Sequence, residues 1–320
     1  MLSIVIPVYN EEEVLETLYN RLIENSVHWG QDFEVILVDD GSRDRSFEIA
    51  KELNAKDKRF KTVSFSRNFG HQIAVSAGLQ YASGDVVAVM DADLQDPPEF
   101  MVELLKKWKE GYEVVFAVRQ GRKENIFKKL AYWLFYRILY WAAEIQIPLD
   151  TGDFCVMDKK VVKLLNSLPE KNRFVRGLRS WLGFRQIGIP FERGSRLAGE
   201  VKYTFGKLFK LAFDGVVGFS YKPLQLFGYF GFFVSFSSIL LLILLGLDKV
   251  FGWHLTPYDL DKTGYFPLLF AVLFLGGVQL IGLGLLGEYL GRVFDEVKNR
   301  PLFLVKELVG ITEKNESEVL

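Results

Sequence analysis

The first third of the chain alternates short β-branched segments with amphipathic segments of helical length. In the first amphipathic segment, Val14, Leu15, Leu18 and Leu22 share one helix face. This alternation is typical of βαβ units, so it predicts a mostly parallel sheet covered by helices. The predicted strands are 4–8, 35–38, 62–65, 86–90 and 114–118, and the predicted helices are 14–24, 46–53, 72–82 and 99–108.

Two later segments are apolar enough to cross a membrane. Residues 223–247 and 263–287 are each 25 residues long and contain no Asp, Glu, Lys or Arg. About 20 apolar residues span a bilayer core, so both segments predict transmembrane helices; buried helices of a large soluble protein are the alternative. The stretch 193–222 holds six basic and two acidic residues, whereas the loop 248–262 holds two basic and three acidic ones. The positive-inside rule therefore places both termini in the cytoplasm of a membrane-bound protein.

The segments flanking these spans are expected to contact lipid or water. Residues 126–143 are rich in aromatic side chains and are interrupted by Lys128, Lys129 and Arg137, which suits a helix in the headgroup region. A plain core helix is the alternative. Residues 205–222 are a weaker juxtamembrane candidate, and the tail contains a strand-like stretch at 302–305. The predicted organisation is a domain over 1–204, a juxtamembrane helix over 205–222, two membrane helices within 223–290 and a cytoplasmic tail over 291–320.

Glycine recurs every seventh residue along the second predicted span. Gly277, Gly284 and Gly291 form a smooth stripe on which another helix can lie closely. The partner of this stripe is either the first span or another protomer. Together with an exposed strand in the tail, the stripe predicts a homo-oligomer.

Composition and charge narrow the functional class. The 39 Lys and Arg residues balance 40 Asp and Glu residues, which disfavours nucleic acid as the partner. Hydrophobic residues make up 49% of the chain and charged residues 25%, values that exclude disordered and fibrous classes. Cys155 is the only cysteine, so an internal disulfide is excluded, and a lone thiol is not a metal site. The folded part is expected to face a reducing cytoplasm.

Polar residues follow the predicted strands at the edge where open α/β sheets bind their ligands. Asp91 and Asp93 flank the small residue Ala92, so both carboxylates can turn toward one divalent cation, Mg²⁺ or Mn²⁺, shared with a diphosphate. A solvated turn is the alternative. Neither G-x-G-x-x-G after the first strand nor G-x-x-x-x-G-K-[ST] is present, so phosphate is expected to be held by metal and arginine.

Three of these strand ends resemble glycosyltransferase family 2, whose members are inverting enzymes of GT-A fold that use nucleotide sugars. They are residues 4–11 (Ile-Val-Ile-Pro-Val-Tyr-Asn-Glu), 38–42 (Val-Asp-Asp-Gly-Ser) and 91–93 (Asp-Ala-Asp). With the two spans, further motifs resemble the polyprenyl-phosphate glycosyltransferases, which include dolichol-phosphate mannose synthase and the GtrB-type bactoprenol glucosyltransferases. These motifs lie at 93–99, 151–154, 176–178 and 196–203.

The resemblance covers nearly the whole chain and implies an α/β GT-A domain with interfacial and transmembrane helices. Its implied partners are UDP-glucose, undecaprenyl phosphate and the lipid bilayer, and its implied cofactor is Mg²⁺ or Mn²⁺. One departure is Val201, where the family often has Ser, and it removes a hydroxyl contact to phosphate. GDP-mannose and a modified arabinose are alternative sugars. From the residues alone, the Asp40 carboxylate accepts either the N3–H of uracil or the N1–H and N2–H₂ of guanine, so the base stays open.

The resemblance also implies roles for residues at matching positions. Asp153 is the implied base, although an ionised lipid phosphate can attack with no proton removed, and Asp153 then orients the sugar or the arginines. The residues implied to contact the nucleoside, the metal or the donor diphosphate are Pro7, Tyr9, Glu11, Asp40, Asp91, Ala92, Asp93, Gln95, Arg196 and Lys202. The residues implied to contact the acceptor phosphate are Arg119, Arg122 and Lys128, and Arg119 and Arg196 are the arginines expected to serve catalysis.

Two other functional classes compete with this interpretation. A processive polysaccharide synthase usually carries a Q-x-x-R-W motif and more spans, and the sequence has neither, since Arg179-Ser180-Trp181 is not that motif. A non-catalytic membrane scaffold or sugar-nucleotide sensor would not need Asp91, Asp93, Arg119 and Arg196 together. No charge lies within either predicted span, so the spans are expected to anchor rather than translocate.

Overall fold

The computed structural model describes residues 1–120, 151–171, 173–192, 221–251 and 265–311. They fall into two compact units: the first contains the described residues up to 192 together with 299–311, and the second contains 221–298. The interfacial helix predicted at 126–143 lies outside the described residues, as does the juxtamembrane helix predicted at 205–222 apart from its last two positions.

One eight-stranded sheet forms the centre of the first unit. Its strands are β1 (Leu2–Val8), β2 (Phe33–Asp39), β3 (Phe60–Phe65), β4 (Val86–Val89), β5 (Val114–Gln120), β6 (Thr151–Asp158), β7 (Gln186–Glu192) and β8 (Val305–Val309). The strand order is β7-β5-β6-β4-β1-β2-β3-β8. Only β6 and β8 run antiparallel to their neighbours. The prediction of a mostly parallel sheet in a GT-A-like α/β fold is confirmed.

Helices cover both faces of this sheet. They are α1 (Leu15–Ser26), α2 (Ser46–Lys56), α3 (His71–Tyr81), α4 (Met101–Lys109), α5 (Lys159–Ser167) and α6 (Val175–Trp181), with a 3₁₀ turn at Pro98–Phe100. On one face, Ile4 and Ile6 of β1 pack in the core formed with α1, α2 and α4. On the other face, Ile36 and Val38 of β2 pack with Ala74 of α3. Because both faces are covered, residues 4–8 of β1 and 35–38 of β2 form uninterrupted apolar runs.

Four elements of the first unit carry too weak a local pattern for sequence-based prediction. β6 begins with the polar run Thr-Gly-Asp, and β7 contains Pro190 and ends at Glu192. Both are nevertheless strands, because β6 pairs with β4 and β5, and β7 pairs with β5. The helices α5 and α6 have only 9 and 7 residues. Tertiary pairing, rather than local propensity, places these segments.

The strand predicted at 302–305 lies instead at Val305–Val309, so the predicted boundaries were wrong. Phe303 precedes the strand, and its ring stacks on Phe65 with centroids 4.9 Å apart. β8 then pairs antiparallel with β3, and Glu307 forms a 2.6 Å ion pair with Lys51. The segment that follows the second apolar helix therefore completes the sheet of the first unit.

The second unit consists of two long apolar helices, α7 (Lys222–Phe251) and α8 (Tyr265–Val297). Within the described residues, Lys222–Leu240 and Ala271–Val297 are long and apolar enough to cross a membrane, which agrees with the two predicted spans. Gly282 of α8 lies against Phe227, whose ring a Cβ atom would overlap. Gly277 and Gly284 have open space around them. The predicted glycine stripe thus lies away from the contact with Phe227.

A buried carboxylate ties three strands together at the edge opposite the carboxyl ends of the parallel strands. Glu34 of β2 accepts hydrogen bonds from the Ser3 hydroxyl (2.5 Å) and from the backbone N–H (2.8 Å) and hydroxyl (2.7 Å) of Ser83. Lys61 of β3 donates a further bond at 2.6 Å. Burial raises the pKa of Glu34, but these bonds outweigh burial, and the pKa is lowered overall. The ionised form is therefore the one that stabilises the fold.

Glu34→Gln should destabilise the protein by about 3 kcal/mol, because it leaves Lys61 without its charged partner. Since the folded-state pKa of Glu34 is lowered, its contribution is complete above the unfolded-state pKa and is lost as pH falls through the folded-state pKa. Unfolding of the full chain in detergent, followed between neutral and acidic pH, measures both effects. The control is Glu52→Gln, whose carboxylate is exposed and 3.9 Å from Arg45. Equal stability of the two variants at neutral pH would contradict the stabilising role assigned to the ionised Glu34 carboxylate.

Candidate functional site

The strand register gathers the predicted site residues at one edge of the sheet. Val8 of β1 pairs with Asp39 of β2, so the loops after these strands begin side by side. Val89 of β4 pairs with Cys155 of the antiparallel strand β6. The residues two positions beyond this pair, Asp91 and Asp153, therefore meet at the same edge.

The loop after β4 presents two carboxylates on its solvent side. Ala92 and Leu94 are buried, whereas Asp91 and Asp93 are partly exposed. Leu94 has a φ of 58°, a left-handed conformation that a leucine rarely adopts. The Asp93 Oδ1 atom accepts the Gln95 backbone N–H at 3.1 Å, which stabilises this turn. Backbone strain of this kind clusters at binding sites.

These residues fit a divalent cation that is shared with a diphosphate. Across the residues that the structure describes, no group of three or more His, Cys, Asp and Glu side chains is arranged to hold a metal. Mg²⁺ needs no such cage, because it usually binds one or two carboxylates together with waters and substrate phosphates. Asp91 and Asp93 supply two carboxylates. The buried Gln95 Oε1 atom has no hydrogen-bond partner in the described part of the chain and is a further oxygen available to a ligand.

His71, the first residue of α3, connects Asp91 with Asp153. Its Nε2 atom lies 3.0 Å from Asp91 Oδ1, and its Nδ1 atom lies 3.8 Å from Asp153 Oδ2. Desolvation of the ring lowers the pKa of His71, but the hydrogen bond and charge of Asp91 and the charge of Asp153 outweigh it, so the pKa is raised. A protonated imidazole between two carboxylates offsets their mutual repulsion.

Asp153 is clamped from two further sides. Arg176 of α6 donates to both of its oxygens, Nε to Oδ1 at 2.8 Å and Nη2 to Oδ2 at 3.2 Å. The Gln72 amide donates to Oδ2 at 3.1 Å and accepts the Val175 backbone N–H at 2.9 Å. Burial raises the pKa of Asp153, but the charge and hydrogen bonds of Arg176 and the charge of His71 lower it overall. A carboxylate held ionised in this way is a weak proton acceptor.

The loops after β1 and β2 are joined by backbone-to-side-chain hydrogen bonds. The Ser42 hydroxyl accepts the Asn10 backbone N–H at 3.0 Å, and the Asn10 side chain accepts the Arg43 backbone N–H at 2.8 Å. The Ser46 hydroxyl accepts the Glu11 backbone N–H at 2.8 Å. Asp39 closes its own turn, because its carboxylate accepts the Ser42 backbone N–H at 3.0 Å. These bonds fix the two loops as one rigid surface.

Asp40 is buried and holds the loop after β3 in place. Its carboxylate accepts the backbone N–H of Phe69 at 2.6 Å and that of Gly70 at 2.9 Å. Burial raises its pKa, although these two N–H groups oppose the shift. The residue predicted to recognise the base therefore also positions residues 66–70, which end at the first turn of α3.

The remaining predicted site residues divide into described and undescribed positions. Pro7 lies within β1, and Tyr9 and Glu11 follow it, with Tyr9 exposed. Arg119 belongs to the end of β5, which places its backbone at the same edge, and its side chain is outside the description. The predicted site residues outside the described ranges are Arg122, Lys128, Arg196 and Lys202.

His71 contacts both Asp91 and Asp153, and Gln72 contacts Asp153, but the sequence-based prediction assigned neither residue to the site. Gln72 is the first residue of the predicted helix 72–82 and His71 directly precedes it, so the strand-end rule applied to both residues. The chain has only three histidines, and this scarcity was a further reason to consider His71 as a site residue. Arg176 was noted only as part of a motif, and its pairing with Asp153 depends on a tertiary contact that the sequence does not display.

Comparison with known proteins shows similarity along the whole chain. Residues 3–165 match the family described as Glycosyl transferase family 2. The chain is 48% identical over 313 residues to the uncharacterized glycosyltransferase YkcC of Bacillus subtilis (strain 168), covering 98% of this chain and 95% of the relative. It is 40% identical over 309 residues to the SfII prophage-derived bactoprenol glucosyl transferase of Shigella flexneri, covering 96% and 97%. It is 35% identical over 309 residues to the prophage bactoprenol glucosyl transferase homolog of Escherichia coli (strain K12), covering 96% and 99%.

Gly41→Ala should disrupt this edge of the sheet. Gly41 has a φ of +70°, and an added Cβ would lie 2.5 Å from the Arg67 carbonyl carbon and 2.7 Å from the Asn68 nitrogen. The control is Gly30→Ala, because Gly30 has a similar φ of +65° and nothing within 4 Å of the added Cβ. Gly30→Ala should cost about 1–2 kcal/mol for the left-handed backbone alone. Gly41→Ala should lower the thermal unfolding midpoint further, and equal midpoints would contradict the close approach of the two loops.

Proposed function

This chain belongs to glycosyltransferase family 2, and we propose that it transfers glucose from UDP-glucose to undecaprenyl phosphate with inversion at the anomeric carbon. One observation carries the proposal: a single chain joins an acidic strand-end loop suited to a metal-bound nucleotide sugar to two membrane-length helices suited to a lipid acceptor. Similarity to bactoprenol glucosyl transferases over 96% of the chain supports the same acceptor.

The donor would bind along the carboxyl ends of β1, β2 and β4. In this proposal the nucleoside lies against Pro7, Tyr9, Glu11 and Asp40, and the diphosphate lies at the acidic loop. Asp91 and Asp93, with Ala92 and Gln95 beside them, would hold Mg²⁺ or Mn²⁺, and the bound cation would offset the charge of the leaving diphosphate. Arg196 and Lys202 are assigned to the donor phosphates because the family resemblance implies this role for residues at these positions.

The phosphate oxygen of the acceptor must be aligned with the anomeric carbon, but it does not need a general base to remove a proton. A lipid phosphate is already ionised at neutral pH, so its oxygen attacks the anomeric carbon without losing a proton, and the bond to the departing diphosphate breaks. We assign Arg119, Arg122 and Lys128 to the acceptor phosphate, because arginine offers it bidentate geometry. The pairing of Asp153 with Arg176 favours an orienting role for Asp153 over that of a general base.

The two apolar helices give the acceptor site its place at the membrane. We propose that α7 and α8 anchor the protein as a multi-pass protein of the cell membrane, with the catalytic unit and both termini in the cytoplasm. A lipid acceptor with a long isoprenoid chain stays in the bilayer, so its phosphate is reached only by an enzyme held at the surface. The glycine stripe of α8 is the proposed contact with a second copy of the chain.

Asp93→Ala should lower the rate of sugar transfer about 100-fold or more, because it removes one of the two carboxylates proposed to hold the cation. The measurement uses purified full-length protein in detergent with Mn²⁺ or Mg²⁺, undecaprenyl phosphate and radiolabelled UDP-glucose, and it counts label in the organic phase. Chelation of the metal should have the same effect as the substitution.

The matched control is Glu103→Gln on the exposed side of α4, which should retain the activity of the unmodified protein. GDP-mannose and a UDP-linked arabinose are tested in parallel. Label from one of them and not from UDP-glucose would reassign the sugar. Absence of label with every donor, despite nucleotide binding, would favour the scaffold or sensor class instead.

The proposed topology predicts opposite labelling of the tail and of the loop between the two apolar helices. Cys155 is buried, so a single cysteine introduced elsewhere is the one that reacts with an impermeant maleimide. In intact cells, Thr256→Cys should be labelled and Asn315→Cys should not, whereas both should be labelled after lysis. Labelling of Asn315→Cys in intact cells would contradict cytoplasmic termini.

A further inference from the structure

A buried arginine lies close to the Asp153 clamp and has no role in the proposed function so far. Arg179 follows Arg176 by one turn of α6, and its side chain is only 1% exposed. Its guanidinium carbon lies 5.0 Å from the centroid of the Phe116 ring, and Phe116 pairs with Cys155, which follows Asp153 by two residues on β6. Its Nε and Nη2 atoms have no hydrogen-bond partner among the residues that the structure describes. Arg179 is therefore a buried cation, and two of its guanidinium nitrogen atoms lack a hydrogen-bond partner among the described residues.

The charge of Arg179 is not matched by a carboxylate of its own in the described part of the chain. Asp153 is close enough for its ionised form to be stabilised by Arg179, but both of its oxygens already bond to Arg176. A buried charge without a paired carboxylate is costly to the fold. The cost is explained if the charge acts on something that the site binds.

The phosphate of the proposed lipid acceptor is an anion whose binding the positive charge of Arg179 can assist. An anionic phosphate approaching Asp153 is repelled by the carboxylate unless nearby cations offset it. A cation in the low-dielectric interior acts over several ångströms, because solvent does not screen it as it screens an exposed lysine. Arg179 is too deeply buried to touch the phosphate, so its action must pass through its field and through Asp153.

We propose that Arg179 is a positioning residue that offsets the negative charge of Asp153, so that the anionic phosphate of the acceptor can bind beside that carboxylate. The inference rests on the proposed function, since it assumes a lipid phosphate as the acceptor. It goes beyond that function by giving a buried residue, remote from solvent, a part in choosing a phosphorylated lipid over the corresponding alcohol.

The test measures lipid binding without a sugar donor, using full-length protein in detergent. Arg179→Met removes the charge while keeping an apolar side chain of comparable length, and Arg179→Lys keeps the charge. We expect Arg179→Met to weaken the binding of undecaprenyl phosphate about tenfold and to leave undecaprenol unchanged. Arg179→Lys should bind undecaprenyl phosphate nearly as the unmodified protein does. The affinity for UDP-glucose with Mn²⁺ should be the same in all three proteins.

A double variant separates charge compensation from packing. Asp153→Asn removes the charge that Arg179 is proposed to offset, so Asp153→Asn combined with Arg179→Met should recover most of the lost affinity for undecaprenyl phosphate. Asp153→Asn alone should bind undecaprenyl phosphate more tightly than the unmodified protein. This single variant keeps the inference testable if Arg179→Met does not fold, which thermal unfolding reports.

Several results would overturn the inference. One is an unchanged affinity of Arg179→Met for undecaprenyl phosphate, and another is an equal loss for undecaprenol and UDP-glucose, which indicates damage to the fold. Equal binding of the two lipids by the unmodified protein would remove both the lipid-phosphate acceptor and the inference. If the unmodified protein prefers undecaprenyl phosphate and Arg179→Met loses that preference, the inference holds even where transfer from every tested donor fails.

Discussion

The site depends on bringing the carboxylates of Asp91 and Asp153 to the same sheet edge and offsetting their mutual repulsion. Asp91 follows a parallel strand and Asp153 begins an antiparallel one, and the pairing of those strands makes them neighbours. Their repulsion is relieved by the ring of His71 and by the guanidinium of Arg176. The helices that carry these two side chains, α3 and α6, are thus held by polar contacts at their first turns as well as by packing.

This arrangement divides the edge into two chemically different parts. On the side of β1 and β2, the loops are fixed by neutral hydrogen bonds through Ser42, Ser46 and Asn10, and the surface is suited to a nucleoside. On the side of β4 and β6, the fixed groups are charged, namely the Asp91 and Asp153 carboxylates and the Arg176 guanidinium. A nucleotide sugar carries the same two kinds of group in the same molecule.

Much of the fold was predictable from the sequence because its signals are local. The five strands from β1 to β5 and the first four helices carry strong apolar periodicity, and both apolar helices exceed the length of a bilayer core. The acidic loop was predictable from the spacing of Asp91 and Asp93. The weak strands β6 and β7 were not predictable, because they become strands only through pairing with other strands, and β8 was predicted only approximately, with wrong boundaries. The roles of His71, Gln72 and Arg176 were hidden for the same reason, since each depends on a contact with β4 or β6.

The last strand of the sheet has a consequence for the order in which the protein is made. β8 follows α8 in the chain, so the ribosome synthesises it only after both apolar helices. Until then, β3 is an open sheet edge and the Phe65 ring lacks the Phe303 ring that stacks on it in the complete chain, and such edges template aggregation. Completion of the sheet in the first unit therefore waits for the apolar helices to leave the ribosome. A nascent chain that stalls before β8 keeps this unprotected edge, which is prone to aggregation.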